Sequence, residues 1–373
     1  MRIGILGGGQ LARMIMESCY KFGFEFHILS KEPNSPAGQL TNFETTGDWN
    51  DEKCLKTFGD QCDILILENE FIDSQKIKFL ECSGKNVYPS SKIIKLIQDK
   101  LFQKETLERI GVPVAPFAPI VNIEDVMRFA EQNNYPLILK SRTMGYDGKG
   151  NITIHNEAQI NEALDILSKR GELLCEGFIR FDKEIATQVV RNKNGEIKVY
   201  PVVETIQKDH ICNLVIASKN LFDNIKTRVC DLAKNIVTEL DYIGVMGIEM
   251  FLTGDEILVN ELAPRVHNSG HYTIEGCYTS QFENQIRAVM NFPLGNTEMS
   301  SECAVMINIL GKKDGAAKLY GAGQAMSNSK TYLHIYGKQE TRKGRKMGHV
   351  TVLHNDVNEA LKIAGMTERS ISI

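Results

Sequence analysis

Two glutamates, Glu249 and Glu261, lie in apolar segments, GVMGIEMF and EILVNEL, that are joined by Thr253-Gly254-Asp255. Short apolar runs broken by a Gly/Asp turn predict a β-hairpin. Both glutamates are equidistant from Asp255, so an odd-length turn centred there sets them opposite each other. Opposed residues on paired strands have Cβ atoms roughly 5 Å apart. Two carboxylates that close repel unless a cation lies between them, and a hard oxygen-binding ion such as Mg²⁺ fits. Asn260 adds a neutral oxygen. Arg265, His267, Asn268, Ser269 and His271 follow in a Pro- and Gly-bounded loop, NELAPRVHNSGH. Such a loop suits contact with an anion or transfer of a proton. The HxxxH spacing of His267 and His271 lacks the HExxH context and a third ligand, so zinc is disfavoured. The plainer alternative for the pair is a surface hairpin with two solvated glutamates.

Two glycine-rich loops could hold phosphate. GILGGGQLA has Gly7 and Gly9, but Ala12 stands where a dinucleotide fingerprint has its third glycine, and no acidic residue closes the next strand at the expected distance. NAD(P) is therefore disfavoured, and another phosphate at the helix N-terminus is the better reading. In the second loop Lys140 ends a strand, and Gly145, Gly148 and Gly150 punctuate Tyr146, Asp147 and Lys149. Glycines let the main chain wrap a polyphosphate while Lys140 supplies a point charge. The pattern is not that of a P-loop, and an ordinary hairpin turn is the alternative. Lys100 follows a capping Asp99. Glu176 ends an apolar strand before Gly177, where a backbone hinge could bond a purine edge, and Glu184 could bond a ribose hydroxyl. Each of these three also reads as an exposed charge.

The positioning elements alternate. Strand Arg2–Leu6, helix Gln10–Phe22, strand Phe24–Leu29 and strand Cys62–Leu67 predict a mostly parallel sheet with ligands at the strands' carboxyl ends, where the glycine turn and Glu68-Asn69-Glu70 fall. Ser91 and Asp99 read as caps of two successive helices. Strands at 136–141, 152–155 and 172–175, antiparallel strands over 183–217 and a helix at 222–240 follow. Pro293-Leu-Gly-Asn reads as a linker to a β-rich tail carrying the basic run Arg342–Lys346. That run lacks interleaved aromatics, so it reads as cover for a small anionic substrate rather than a nucleic-acid site. The 373 residues carry a net charge of -4, so bulk charge implies neither a nucleic-acid nor a membrane partner. No apolar window is long enough for a membrane span, and the N-terminus lacks a signal-peptide pattern. Nine scattered cysteines, none in a CxxC pair, fit free thiols in a reducing cytoplasm.

Together GILGGGQLARM, CDILILENE, GVPVAPF, LKSRTMGYDGKG, GVMGIEMF, NELAPRVHNSGHYT and GRKMGH resemble, from end to end, the ATP-grasp ligases, and among them the N5-carboxyaminoimidazole ribonucleotide synthase family. The resemblance implies an α/β fold: a Rossmann-like pre-ATP-grasp domain over 1–95, an ATP-grasp domain over 96–292 with a lid at about 115–182, and a small β-rich domain over 293–373. It implies a cytoplasmic homodimer that uses ATP and Mg²⁺ to carboxylate 5-aminoimidazole ribonucleotide with bicarbonate. Lys100 and Lys140 would bind the nucleotide's phosphates beneath a flap of Gly145, Tyr146, Asp147, Gly148, Lys149, Gly150 and Asn151. Glu176, Gly177, Phe178 and Ile179 would form the adenine hinge, Glu184 would bind ribose, and Gln207, where relatives often have histidine, would contact the nucleotide. Glu249 and Glu261 would hold Mg²⁺ beside Asn260. Tyr146, Asp147, Arg265, His267, Lys338 and Arg345 would meet bicarbonate and aminoimidazole, with Asp147 or His267 taking the amine proton. Glu68 and Glu70 would line the ribonucleotide side. Formate-dependent glycinamide ribonucleotide transformylase is the nearest alternative within the superfamily.

Overall fold

Apolar strands and amphipathic helices alternate through the first hundred residues, and the computed structural model, which describes residues 1–143, 150–208 and 211–373, folds them as that pattern demands. Arg2–Leu6 is buried beyond its first residue, as a strand covered by helices on both faces must be. It lies at the centre of a parallel sheet ordered Glu44–Thr46, Glu25–Ser30, Arg2–Leu6, Ile64–Leu67, Val87–Tyr88. The chain builds outward on one side of Arg2–Leu6, then returns to build on the other. At such a reversal the carboxyl ends of the central strands open a crevice. The glycine turn and Glu68-Asn69-Glu70 flank it. A Cβ on Gly9 would collide with the Glu68 carboxylate, so only glycine lets that acid lie against the turn.

Residues 117–177 form a smaller antiparallel sheet ordered Phe117–Ile120, Leu173–Gly177, Leu137–Ser141, Asn151–Ile154. Helices Ile123–Asn133 and Ile160–Leu167 cover one face, and Val126, Phe129, Leu137, Leu139 and Ile160 make its own core. Two helices precede it, Ser91–Gln98 and Lys100–Arg109. Asp99 caps the second, accepting from the Leu101 N–H at 3.0 Å. The first starts differently from the sequence reading: Ser90 holds the cap position, and Ser91 donates through N–H and hydroxyl to Glu81 at 2.7 and 2.6 Å.

The largest sheet is antiparallel, ordered Glu256–Ala263, Gly244–Thr253, Lys183–Arg191, Val203–Lys208, Ile211–Ser218, Cys303–Leu310, Lys346–His354, Thr331–Ile335. Helix Lys226–Glu239 buries Val229, Ala233, Ile236 and Val237 against Ile248 and Met250 of this sheet. The tail strands extend the sheet, Cys303–Leu310 pairing with Ile211–Ser218 on one side and Lys346–His354 on the other. Pro293-Leu-Gly-Asn is pinned rather than a free connector. Leu294 and Gly295 donate to the side chains of Glu196 and Asn284 at 3.0 and 2.8 Å. The β-rich tail also ends in a helix the sequence reading missed, Val357–Ser370, capped by Asp356 and packed through Ala360 and Ala364. Its buried face is mostly alanine, which gives a weak periodic signal. Among the described residues no helix is long and apolar enough to cross a membrane.

The tail and the NSGH loop are joined by an amide pair. Asn268 Nδ2 donates to Asn308 Oδ1 at 3.0 Å, and Asn308 Nδ2 returns a bond to Asn268 Oδ1 at 2.7 Å while also reaching the Cys212 carbonyl at 2.8 Å. Asn308 is fully buried. Asn308→Ala leaves those partners unsatisfied, and the expected cost is about 2–4 kcal/mol. Urea denaturation should show the lowered midpoint, and an unchanged midpoint would mean the pair contributes nothing to folding.

Candidate active site

The hairpin forms, and Glu249 stands opposite Glu261. The means differ from the odd-length turn expected. The turn has two residues, Gly254 and Asp255, between the paired Thr253 and Glu256, with Gly254 at φ +56°. That turn alone would set Glu249 opposite Asn260. A bulge after Met250↔Val259 inserts one residue and brings Glu261 across instead. Bulges place consecutive side chains on nearly the same face. Ile257 and Val259 are buried, and so is Leu262, which marks the change of phase. Asn260 and Glu261 therefore both line the cavity that Glu249 faces.

That cavity has a volume of about 730 Å³ and lies where the three parts of the chain meet. Gly9, Gln10, Glu68, Asn69 and Glu70 form the wall from the parallel sheet. Glu184, Gln207, Glu249, Asn260 and Glu261 come from the large sheet, Arg265, His267, Asn268 and His271 from the polar loop, and Lys338, Gly344, Arg345 and Lys346 from the tail. Carboxylates come from the hairpin, from Glu184 and from the parallel-sheet wall, while the charged groups of the tail are all ammonium or guanidinium. Burial, then the charges of Glu261 and Glu184, push the Glu249 carboxyl up to about 7. Among the described residues no third acidic or imidazole group converges on the pair, so the oxygen donors that would suit a divalent cation there are the two carboxylates and the Asn260 amide.

His267 lies across Gly247, where any Cβ would approach its own Cβ to 2.6 Å. The Ser269 N–H points at its Nδ1 at 3.4 Å, which leaves Nε2 facing Glu249 Oε1 at 3.5 Å. Burial and the charges of Arg265 and Lys346 push this imidazole down to about 3, so it is neutral. The Arg265 guanidinium makes a two-pronged pair with Glu70, one contact to Oε1 at 2.8 Å and another from Nε to Oε2. It thereby ties the polar loop to the crevice of the parallel sheet. In the tail, Lys338 Nζ donates to the Lys346 carbonyl at 2.7 Å and Arg345 Nη1 to the Glu340 carbonyl at 2.6 Å.

Lys100 and Lys140 lie outside the lining of this cavity, in a second cluster beside it. Lys100 Nζ is 3.5 Å from Glu261 Oε1, whose charge raises the lysine's pKa against the opposing effect of burial. Lys140 Nζ donates to Glu176 Oε2 at 2.8 Å. The Glu176 side chain is thus buried among lysines, while Gly177 donates its N–H to the Pro116 carbonyl and Phe178 is exposed. Ile179 is half-buried. A third lysine, Lys104, is nearly inaccessible and 3.4 Å from Glu176. The sequence reading missed it, although its spacing of four from Lys100 puts both on one helix face. Gly150 and Asn151 are described, Asn151 pairing with Lys140 and lining the cavity. Gly145, Tyr146, Asp147, Gly148 and Lys149 lie outside the described residues.

Comparison with known proteins gives this arrangement a family. Residues 1–98 match the ribonucleotide synthetase preATP-grasp domain, 105–282 the ATP-grasp domain, and 304–363 the phosphoribosylaminoimidazole carboxylase C-terminal domain. The N5-carboxyaminoimidazole ribonucleotide synthase of Bacillus subtilis is 36% identical, the match covering 96% of this chain and 92% of that one. Phosphoribosylaminoimidazole carboxylase of Saccharomyces cerevisiae is 37% identical, but this chain spans only 67% of its length. The N5-carboxyaminoimidazole ribonucleotide synthetase structure from Thermotoga maritima superposes with a TM-score of 0.89 at 39% identity, covering 100% of this chain and 98% of that one. The Aspergillus clavatus enzyme in complex with ADP and 5-aminoimidazole ribonucleotide gives 0.90 at 35% identity, covering 99% and 98%. The chain belongs to the N5-carboxyaminoimidazole ribonucleotide synthase family of ATP-grasp ligases.

Proposed function

We propose that the cavity carboxylates the exocyclic amine of 5-aminoimidazole ribonucleotide with bicarbonate, at the expense of ATP, as a step of purine biosynthesis. The observation that carries the reading is the Glu249–Glu261 pair, opposed across the ladder and facing a basic wall. Bicarbonate oxygen attacks the γ-phosphorus, ADP leaves, and carboxyphosphate forms. Carboxyphosphate then breaks to CO₂ and phosphate. The amine attacks CO₂, its proton is lost, and the carbamate results. The catalytic demand is positioning and charge neutralisation. Lys100 and Lys140 supply cations to the phosphates, and Glu176 through Ile179, Glu184 and Gln207 hold the nucleoside. Glu249 and Glu261, with Asn260, would hold Mg²⁺, which when bound offsets the charge of the transferring phosphoryl group. Arg265, Lys338 and Arg345 orient the anionic substrates, neutral His267 serves as a hydrogen-bonding group, and Asp147 takes the amine proton. Enclosure matters because carboxyphosphate and CO₂ are both lost to water. The same reading implies a cytoplasmic homodimer, and light scattering on the purified chain tests the dimer.

Purified protein given ATP, Mg²⁺ and bicarbonate should release ADP only when aminoimidazole ribonucleotide is present. Release with formate and glycinamide ribonucleotide instead would transfer the chain to the transformylase reaction. Glu261→Ala is expected to abolish turnover, at least a hundredfold by analogy with the loss of other charge-stabilising groups. Normal Mg²⁺-dependent ADP production by this variant would remove Glu261 from the metal site. Arg345→Ala should raise the KM for aminoimidazole ribonucleotide roughly tenfold with the KM for ATP little changed, since one charged contact accounts for 1–3 kcal/mol.

Glu249 gives a prediction of opposite sign for stability. Its carboxyl titrates near 7 in the folded protein, above its ordinary range. Between the unfolded and folded pKa values the native state holds a proton that the unfolded chain has released. Stability therefore falls as pH rises through that window and stays reduced above it. Glutamine does not ionise. Glu249→Gln should raise the melting temperature of Mg²⁺-free protein at pH 8, with the difference closing towards pH 5, while turnover is lost. The side chain keeps 31% exposure, so the gain is about 1–2 kcal/mol rather than the full value of the shift. A variant less stable than the parent at pH 8 would contradict the repulsion inferred here.

A further inference from the structure

Lys104 has no part in the reading above, yet it is the most confined cation of the phosphate-side cluster. It lies one helical turn beyond Lys100, with 3% of its side chain exposed, and its Nζ makes no hydrogen bond among the described residues. Its close partner is Glu176 Oε2 at 3.4 Å, the same oxygen that accepts from Lys140 at 2.8 Å. The other oxygen, Glu176 Oε1, is buried with no hydrogen-bond partner among the described residues. Buried polar groups serving only the fold are normally satisfied, and here a donor and an acceptor both have spare capacity.

The two lysines come from different bodies. Lys140 and Glu176 are on neighbouring strands of the smaller sheet, where Ile138 stands opposite Glu176. The helix of Lys104 is fastened to the large sheet. Gln103 accepts from the Leu262 N–H at 3.1 Å, Asn235 donates to the Ile110 carbonyl at 3.0 Å, and Leu107 packs in the core with Ile248. The Lys104–Glu176 contact therefore spans the two sheets.

We propose that Lys104 is a positioning residue that keeps Glu176 neutralised when Lys140 turns away from it to the phosphates of the nucleotide. This rests on the reading of Lys140 as a phosphate ligand. Without nucleotide, Glu176 occupies Lys140 as a stand-in anion. When phosphate takes Lys140, a buried carboxylate would be left without a counter-ion, which is strongly unfavourable. Lys104 needs to approach by roughly half an ångström to reach hydrogen-bonding distance of that carboxylate. The exchange keeps one cation on Glu176 throughout and holds the smaller sheet to the helix while the nucleotide is bound.

A double-substitution cycle on the full chain tests this, with calorimetric titration of MgADP and steady-state KM and kcat for ATP. Lys104→Met should weaken MgADP binding roughly tenfold and raise the KM for ATP in parallel, with kcat changed less than about threefold. In a Glu176→Gln background, where no carboxylate needs neutralising, the same substitution should change affinity less than about twofold. Equal losses in both backgrounds would mean that Lys104 touches the nucleotide or only supports the fold, and no loss in either would equally overturn the proposal. Should Lys104→Met not fold by circular dichroism, Lys104→Gln carries the same cycle. Failure of the parent protein to bind MgADP would sink the ATP reading instead.

Discussion

Repulsion between two carboxylates held across a β-ladder is the constraint around which the site is arranged. Glu249 and Glu261 are fixed by main-chain pairing, so neither backbone can move apart to relieve their charges. The ladder holds opposed Cβ atoms at about 5 Å. Relief has to come from protonation, from a neighbouring cation or from a bound ion. The surroundings supply a little of the first two: burial and its neighbours push the Glu249 carboxyl up to about 7, and Lys100 stands 3.5 Å from Glu261, while the His267 ring that faces Glu249 is neutral. None of these removes the excess negative charge, which is why a divalent ion is the fitting occupant.

The bulge makes that constraint chemically useful. In a regular hairpin Asn260 and Glu261 would point to opposite faces. With one extra residue both reach the cavity, so a neutral amide oxygen joins the acids. The interruption leaves the hydrophobic side intact, because Val259 and Leu262 remain buried on either side of it. Arg265 and Glu70 extend the arrangement across the chain. Their pairing commits one cation of the loop to the parallel sheet's crevice and leaves the tail's Lys338, Arg345 and Lys346 as the remaining basic wall.

Much of this was legible in the sequence, and what was not has physical reasons. Apolar runs such as Arg2–Leu6 and Ile64–Leu67 announce buried strands because both faces need apolar residues. The opposition of Glu249 and Glu261 follows from their spacing, yet the reason inferred was wrong: an odd turn and an even turn with a bulge give the same partner. Only the alternation of buried positions, shifting between Val259 and Leu262, distinguishes them. The union of the tail with the large sheet had no local sign, since β-pairing between Ile211–Ser218 and Cys303–Leu310 is a long-range contact. Lys104 was hidden for another reason. A lysine on a helix is normally solvated, and nothing near it in sequence reveals that Glu176 meets it in space.

Continuity of the large sheet decides which parts of the protein are fixed to one another. The glutamate hairpin Gly244–Ala263 and the tail strand Lys346–His354 belong to one sheet, with Asn268 and Asn308 bonded between loop and tail. Moving the carboxylate wall relative to the basic wall would break main-chain hydrogen bonds in several strands, so these walls form a fixed frame. The smaller sheet has its own core and, among the described residues, shares no ladder with that frame. It carries Lys140 and Glu176, and it meets the helix Lys100–Arg109 through two charged contacts, Arg142 to Asp99 at 2.6 Å and Lys104 to Glu176, and one main-chain bond, the Lys100 N–H to the Arg142 carbonyl at 2.9 Å. A charged contact can be exchanged for one with a phosphate provided that the carboxylate left behind keeps a counter-ion, whereas a β-ladder has no such substitute. The smaller sheet is therefore joined to the frame by contacts that can be remade one at a time, whereas the walls of the frame are joined by ladders that cannot.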